Sequence, residues 1–398
     1  MRLSRKRSRL QYGVSPIKKI MFVVFLLIIG YVLFLGYKVL KFYHATYTPK
    51  NSQGSASITK PPEEKKIFNF LVMGYGGAGH DGAYLTDTLM VAHVDMNKKK
   101  ALLVSIPHDV WAKIPTKSGT DFHEKINAVY QMGLFKDNYP DIPDKYGSDQ
   151  GAADLLKEVL AGVTGLKTDN YIAIDFQGFR KAVDLLGGVD VNVEKTFDDY
   201  EYPVDGKEKD LCGKQESDLP DLEKIATESP TLAFPCRYEH LHFDKGMTHM
   251  DGTTALKYVR SRHSLQDGTD FGRAARQQRF LEAVKDKVIS FGFITKIPTL
   301  LDQMSSYIRT DLDAGTISKI LGEAPHSKQY KISNFVPDIT NYLESSTSSY
   351  GGYILVPEGG EDKWEPVQNE ISNIIKGITP TPTPAPTVAS GSAVKSEK

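Results

Sequence analysis

Residues 171–193 read YIAIDFQGFRKAVDLLGGVDVNV, and the class of the fold turns on this stretch. Tyr171–Asp175 is a short apolar run ending in an acid, Gln177–Leu186 reads as a helix, Gly187-Gly188 stops it, and Val189–Val193 reads as a second strand. A strand, a helix, a glycine stop and a strand read as a crossover, the unit from which α/β sheets are built.

Toward the N-terminus the same class continues. Ile67–Met73 and Thr88–Val94 have the composition of strands, and a turn at Asn97–Lys99 leads into a third at Ala101–Ile106. Helical periodicity follows at Lys125–Met132 and Ala152–Val163. Toward the C-terminus, residues 196–245 read as an irregular, charged excursion. Helices resume at Gly252–Val259, Gly272–Val288 and Ala314–Leu321, and a strand near Tyr353–Val356 with a helix at Glu365–Ile375 is expected to complete the sheet. The fold class is therefore α/β, a central mixed β-sheet flanked by helices over residues 67–376. After Gly377 the Thr-Pro repeats of 377–398 cannot bury a core and read as a disordered or extended tail.

Seven basic residues between Arg2 and Lys19 precede an apolar run from Ile20 that passes Lys38 and ends at Leu40. That is enough for one transmembrane helix over 20–41, with residues 1–19 cytoplasmic and everything after about residue 42 extracytoplasmic. A cleaved leader is the competing reading, but Tyr43-His44-Ala45-Thr46 supplies no small-x-small site. Residues 42–66, with Pro49, Gly54 and Pro61-Pro62, read as a solvated stalk. Cys212 and Cys236 share one irregular stretch outside the membrane, and a disulfide between them is expected. Of 398 residues, 49 are basic and 49 acidic, so no global field steers nucleic acid to this chain.

Gly74-Tyr75-Gly76-Gly77-Ala78-Gly79 satisfies G-x-G-x-x-G, with Asp95 about twenty residues on. A dinucleotide fold needs a full helix after the glycines, and here the next strand begins by Thr88. The motif reads instead as a tight glycine loop.

The residues able to do chemistry lie elsewhere. Arg260 and Arg262 alternate, and on an extended segment they point the same way. Arg273, Arg276 and Gln277 are spaced i, i+3 and i+4, on one helix face. Four guanidinium forks suit a polyanion such as pyrophosphate. Asp87 and Asp109 at strand ends suit a hard divalent cation, Mg²⁺, against the same phosphates. The histidines show no zinc spacing.

Several stretches occur in a fixed order: Thr86-Asp87-Thr88, Ser105-Ile106-Pro107-His108-Asp109, Lys125-Ile126-Asn127-Ala128, Asp175-Phe176-Gln177-Gly178-Phe179, Leu186-Gly187-Gly188-Val189, Met250-Asp251-Gly252 running to Arg260-Ser261-Arg262-His263, and Asp270-Phe271-Gly272-Arg273 running to Gln278. Together they resemble the LytR-CpsA-Psr family of cell-wall glycopolymer transferases over roughly Ile67 to Ile375. The resemblance implies transfer of a glycopolymer from a polyprenyl-pyrophosphate carrier to a peptidoglycan sugar hydroxyl, with the lipid in an apolar tunnel. It implies that Arg260, Arg262, Arg273 and Gln277 bind pyrophosphate, helped by Arg276, Lys125 and His108. Asp87 and Asp270 would hold the metal, and Asp109 would activate or orient the acceptor.

Three positions depart from the family pattern. Gly76 stands where many members carry an acid, Leu85 where an arginine usually precedes Thr-Asp-Thr, and His108 where Ile-Pro-Arg-Asp has its arginine. Asp81, from the glycine loop, is the expected substitute for the missing acid, and His108 is expected to hydrogen-bond phosphate. The departures keep open a non-catalytic lipid-pyrophosphate binder or wall-assembly scaffold, and a simple polyprenyl-pyrophosphate hydrolase.

Overall fold

The computed structural model describes residues 37–38, 40–41, 44–46, 65–80, 82–288, 303–304 and 306–378. The expected membrane helix, stalk and Thr/Pro tail lie largely or wholly outside them, as does Asp81. Among the described residues no helix is long and apolar enough to cross a membrane.

The strands are β1 (Ile67–Tyr75), β2 (Thr86–Asp95), β3 (Lys100–Ser105), β4 (Trp111–Lys113), β5 (His123–Lys125), β6 (Asn170–Asp175), β7 (Val189–Val193), β8 (Phe197–Pro203), β9 (Tyr238–Phe243), β10 (Gly246–Met250), β11 (Ile308–Thr310), β12 (Lys331–Phe335), β13 (Leu343–Thr347) and β14 (Tyr353–Pro357). The helices are α1 (Val129–Leu134), α2 (Asp149–Thr164), α3 (Phe176–Leu185), α4 (Leu219–Glu228), α5 (Pro230–Ala233), α6 (Gly252–Arg260), α7 (Asp270–Val288), α8 (Ala314–Glu323) and α9 (Glu365–Lys376).

Six strands form the central sheet in the order β11-β6-β1-β2-β3-β12. β1, β2 and β3 are an antiparallel meander, while β6 pairs parallel with β1 and β12 parallel with β3, so the sheet is mixed. The two-residue side-chain period divides it into two unlike faces. Leu71, Met73, Leu89, Val91, Tyr171 and Ala173 point to one face, and none is more than 2% exposed. They pack with Leu155, Leu156, Val159 and Leu160 of α2 and Val367 and Ile371 of α9 in the largest apolar cluster. On the other face Phe68 and Phe70 lie under Leu312, Ile317 and Ile320 of the segment around α8. Farther along that face Val72, Met90 and Ile174 are left as the floor of a cavity. Over it lies a second apolar layer built from α3, α6, α7 and the strands β7 to β10.

Several expectations need correction. The 171–193 unit is not a crossover within one sheet. Gly187 and Gly188, at φ 76° and 77°, turn the chain away, and β7 pairs antiparallel with β10 in a separate ribbon. Its burial alternates strictly, valines in and polar residues out, whereas a strand inside a helix-covered sheet is buried on both faces. Residues 353–356 do not complete the central sheet either, because β14 pairs with β13 and packs Ile354 and Val356 on Trp111. The sheet edges are β11 and β12, both unforeseen; three residues and the polar sequence Lys331-Ile-Ser-Asn-Phe335 give a weak strand signal. The 196–245 excursion is ordered, with β8 and β9 pairing and α4 between them. Lys125 ends β5 instead of starting a helix. The glycine loop leads straight from β1 into the antiparallel β2, with Gly77 and Gly79 at positive φ and no helix after them.

Candidate functional site: a cavity with an apolar floor and a cationic rim

Above Val72, Met90 and Ile174 is a cavity of about 520 Å³. Phe176 and Phe179 of α3, Leu256 of α6 and Phe280 of α7 form its apolar walls, and Tyr202 and Tyr238 of the excursion close one side. Asp87, Arg260, Arg262, Arg273 and Gln277 also line it. Apolar and charged side chains therefore line one space.

Local chain geometry puts each group there. Asp175 ends β6 and caps α3, accepting a 2.7 Å hydrogen bond from the Gly178 N–H. Burial, its largest influence, holds its carboxyl above the usual range, against which the Gly178 bond and Arg309 work. Asp251 caps α6 in the same way through Thr254 N, 2.7 Å away, and Arg260 is the last residue of that helix. The expectation of an extended segment through Arg260 and Arg262 is thus corrected: the first ends a helix and the second lies just beyond it.

Arg260 lies against two aromatic rings, 4.2 Å from the Phe176 ring centre and 5.4 Å from that of Tyr202. Its Nη1 donates to the Tyr202 hydroxyl at 3.2 Å and to Asp205 Oδ1 at 2.9 Å. Burial works against its charge, but Tyr202, Asp205 and Asp87 outweigh it and raise its pKa. Burial pushes the Tyr202 phenol up to about 12, so it stays neutral and able to donate. Arg262 is exposed, and its Nε donates to His263 Nε2 at 3.0 Å.

The segment between the two arginines is pinned by Asp199, which is 1% exposed. Its Oδ2 accepts from Ser261 Oγ at 2.6 Å and His263 N at 3.2 Å, and its Oδ1 from Glu201 N at 2.9 Å. Neither Asp199 nor Tyr202 was among the expected site residues. The signal available was the alternation of aromatics and acids in 197–203, which is strand-like.

From α7, Gln277 Nε2 donates to Thr88 Oγ1 at 2.9 Å, tying the helix to the start of β2 beside Asp87. Arg273 Nη2 donates to His108 Nδ1 at 2.9 Å. A guanidinium has no lone pair to offer, so Nδ1 is the acceptor and a neutral His108 carries its proton on Nε2, the edge 3.5 Å from Asp109 Oδ2. Asp109 Oδ1 accepts from Lys125 Nζ at 2.6 Å. Lys125, Asp109, His108 and Arg273 therefore form a chain that reaches the cavity only at Arg273.

Of the residues expected to bind pyrophosphate or do chemistry, the structure brings Arg260, Arg262, Arg273, Gln277 and Asp87 together. Asp109, Lys125 and His108 stand behind Arg273 and do not line the cavity. Arg276 leaves the group altogether. It is 1% exposed, pairs with Asp267 at 2.6 Å, bonds the Tyr258 and Ser261 carbonyls, and lies 4.8 Å from the Phe197 ring centre. Of the departing positions, Gly76 and Leu85 lie outside the cavity wall, and His108 bonds an arginine in the described structure.

Asp87 makes no hydrogen bond or ion pair among the described residues. A half-buried carboxylate with no hydrogen-bonded partner among the described residues, beside a cationic rim, is chemically suited to a hard divalent cation. The side chain of Asp270 lies outside the described atoms. Cys212 and Cys236 are joined by a disulfide that closes the excursion.

Comparison with known proteins agrees with this architecture. The polyisoprenyl-teichoic acid–peptidoglycan teichoic acid transferase TagU of Oceanobacillus iheyensis is 26% identical over 259 residues, 65% of this chain and 63% of that protein. The chain thus spans less than two thirds of that relative's length. The regulatory protein MsrR of Staphylococcus aureus is 25% identical over 299 residues, 74% of this chain and 72% of that one. The crystal structure of Bacillus subtilis TagV superposes with a TM-score of 0.51 at 23% identity, covering 80% of this chain and all of that one, which shows a shared fold. The LytR_cpsA_psr family model matches residues 33–355, most of the chain, and the protein belongs to that family.

Proposed function

We propose that this protein is a glycopolymer phosphotransferase. It moves a glycopolymer from a polyprenyl-pyrophosphate carrier to a sugar hydroxyl of peptidoglycan, at the outer face of the cell membrane, where residues 20–41 anchor it. The observation that carries the reading is one cavity with an apolar floor (Val72, Met90, Ile174) and a rim of Arg260, Arg262, Arg273 and Gln277. That combination suits an amphiphile with a diphosphate head and a hydrocarbon tail.

The acceptor hydroxyl oxygen attacks the phosphorus attached to the glycopolymer and gives up its proton to solvent, the bond to the bridging oxygen breaks, and polyprenyl phosphate leaves. The three arginines sit where charge accumulates on the departing phosphate, in a site partly withdrawn from water, where fixed donors act most strongly. Tyr202 and Phe176 keep the Arg260 plane in place, and the Lys125–Asp109–His108 chain keeps Arg273 in place. Asp87 would hold Mg²⁺, with Asp270 and Asp81 as further ligands; when bound, the ion supplies neutralisation of phosphate charge.

The test is a transfer assay with polyprenyl-pyrophosphate-linked polymer, peptidoglycan and Mg²⁺, alongside mass spectrometry of lipid retained by the protein. Arg260→Ala is expected to lose transfer on the order of 10²- to 10³-fold. Lipid retained by wild type without transfer would make the protein a binder. Polymer phosphate released without any acceptor would make it a hydrolase.

A further inference from the structure

Arg260 already has an anionic partner, and that partner comes from outside the cavity. Asp205 does not line the space, yet its Oδ1 is 2.9 Å from Arg260 Nη1 and its Oδ2 is 3.4 Å from Arg180 Nη1. It follows the end of β8 in a turn closed by Lys207 N on Val204 O at 3.1 Å, with Gly206 at φ 81°. The turn is tied to the excursion's far end. Val204 N donates to Arg237 O at 2.8 Å, Arg237 Nε donates to Asp210 O at 2.8 Å, and the Cys212–Cys236 bond fastens the same two strands of chain. The Asp205 side chain is 35% exposed against 18% for Arg260. The carboxylate is thus the more exposed partner, and of the two only Arg260 lines the cavity.

We propose that Asp205 is a displaceable counter-ion for Arg260, presented by the disulfide-closed excursion and exchanged for the ligand's diphosphate when the cavity fills. The inference rests on the anion-binding reading of the rim. A carboxylate carries one charge and this one is partly exposed, so the pair is weak, and a diphosphate of higher charge entering the cavity outcompetes it. The empty site thereby avoids an uncompensated, largely buried arginine, and weakly charged anions are refused. Asp205 is in this sense a specificity-determining residue of the rim that never touches the reacting atoms.

The experiment is calorimetric titration of the full chain with inorganic pyrophosphate and, separately, inorganic phosphate. Asp205→Asn keeps the shape and removes the charge. It is expected to tighten pyrophosphate binding about three- to fivefold and to reduce the preference for pyrophosphate over phosphate. The gain is expected to vanish in an Arg260→Ala background, because the coupling is between these two groups. Glu208→Gln, which removes a neighbouring acid that does not bond Arg260, is expected to leave binding unchanged. Equal tightening by Glu208→Gln would reduce the effect to general charge and overturn the proposal. Unchanged or weaker binding by Asp205→Asn would overturn it too, leaving the anion reading intact. Failure of wild type and variants alike to bind pyrophosphate would sink both.

Discussion

The two faces of the central sheet are built from the same strands and treated differently. On one, Leu71, Met73, Leu89, Val91, Tyr171 and Ala173 are sealed by α2 and α9 with almost no exposed area. On the other, their immediate sequence neighbours Val72, Met90 and Ile174 are roofed at a distance and leave a space. Alternate residues of β1, β2 and β6 therefore serve different purposes. One set supplies stability through contact, and part of the other, where Val72 and Ile174 are only half-buried, faces the cavity.

The sharpest way to break that comparison is to shorten one side chain on each face. Leu71→Ala opens a void in close-packed surroundings and is expected to cost about 2–5 kcal/mol in a denaturant melt, with ligand affinity of the surviving folded fraction unchanged. A loss well under 1 kcal/mol would mean that this face is not the stabilising one.

Val72→Trp tests the other face by filling the space. It is expected to weaken binding of a short polyprenyl pyrophosphate such as farnesyl pyrophosphate by about tenfold or more, read by calorimetry, while inorganic pyrophosphate binds as before. Equal weakening for both ligands would show that the change had disturbed the rim.

The smallest effect belongs to the exposed side of the β8–β9 strand pair. There His242 is bonded to Asp198 at 2.8 Å and to Asp244 at 3.3 Å, and these carboxylates, Asp198 foremost, raise its pKa above the ordinary 6.5. A raised folded value favours the folded strand pair most below pH 6.5, and the advantage is lost as pH rises through the raised value. Amide exchange in β8 and β9 should therefore be slower in wild type than in His242→Gln in mild acid and equal well above neutrality. A difference that persisted at high pH would assign the protection to packing.

What was legible in the sequence followed from period and punctuation. The meander of β1 to β3 and the α2 and α9 helices declare themselves within a few residues. The rim was half legible. Arg260, Arg262, Arg273 and Gln277 were identified by resemblance and spacing, but Arg276, three residues on from Arg273, falls short of a full helical turn. That rotation of about 60° carries it off the cavity edge and under the end of α6. Helix-face arithmetic is too coarse to separate a ligand-binding arginine from a structural one. Asp199, Tyr202 and Asp205 were not legible because their partners Ser261, His263 and Arg260 are distant in sequence, and no local pattern announces such a meeting.

Both edges of the central sheet come from the last third of the chain, β11 against β6 and β12 against β3. As the chain is made from its N-terminus, β3 and β6 are available long before their outer partners exist. Until then each presents unpaired backbone donors and acceptors on an apolar strand, the arrangement most open to pairing with another chain. Closing them requires contacts of large sequence separation, which form slowly. The late-arriving β11 and β12 thus act as sealing strips, and shortening the chain ahead of residue 308 would leave a core with two sticky flanks, prone to aggregate during synthesis.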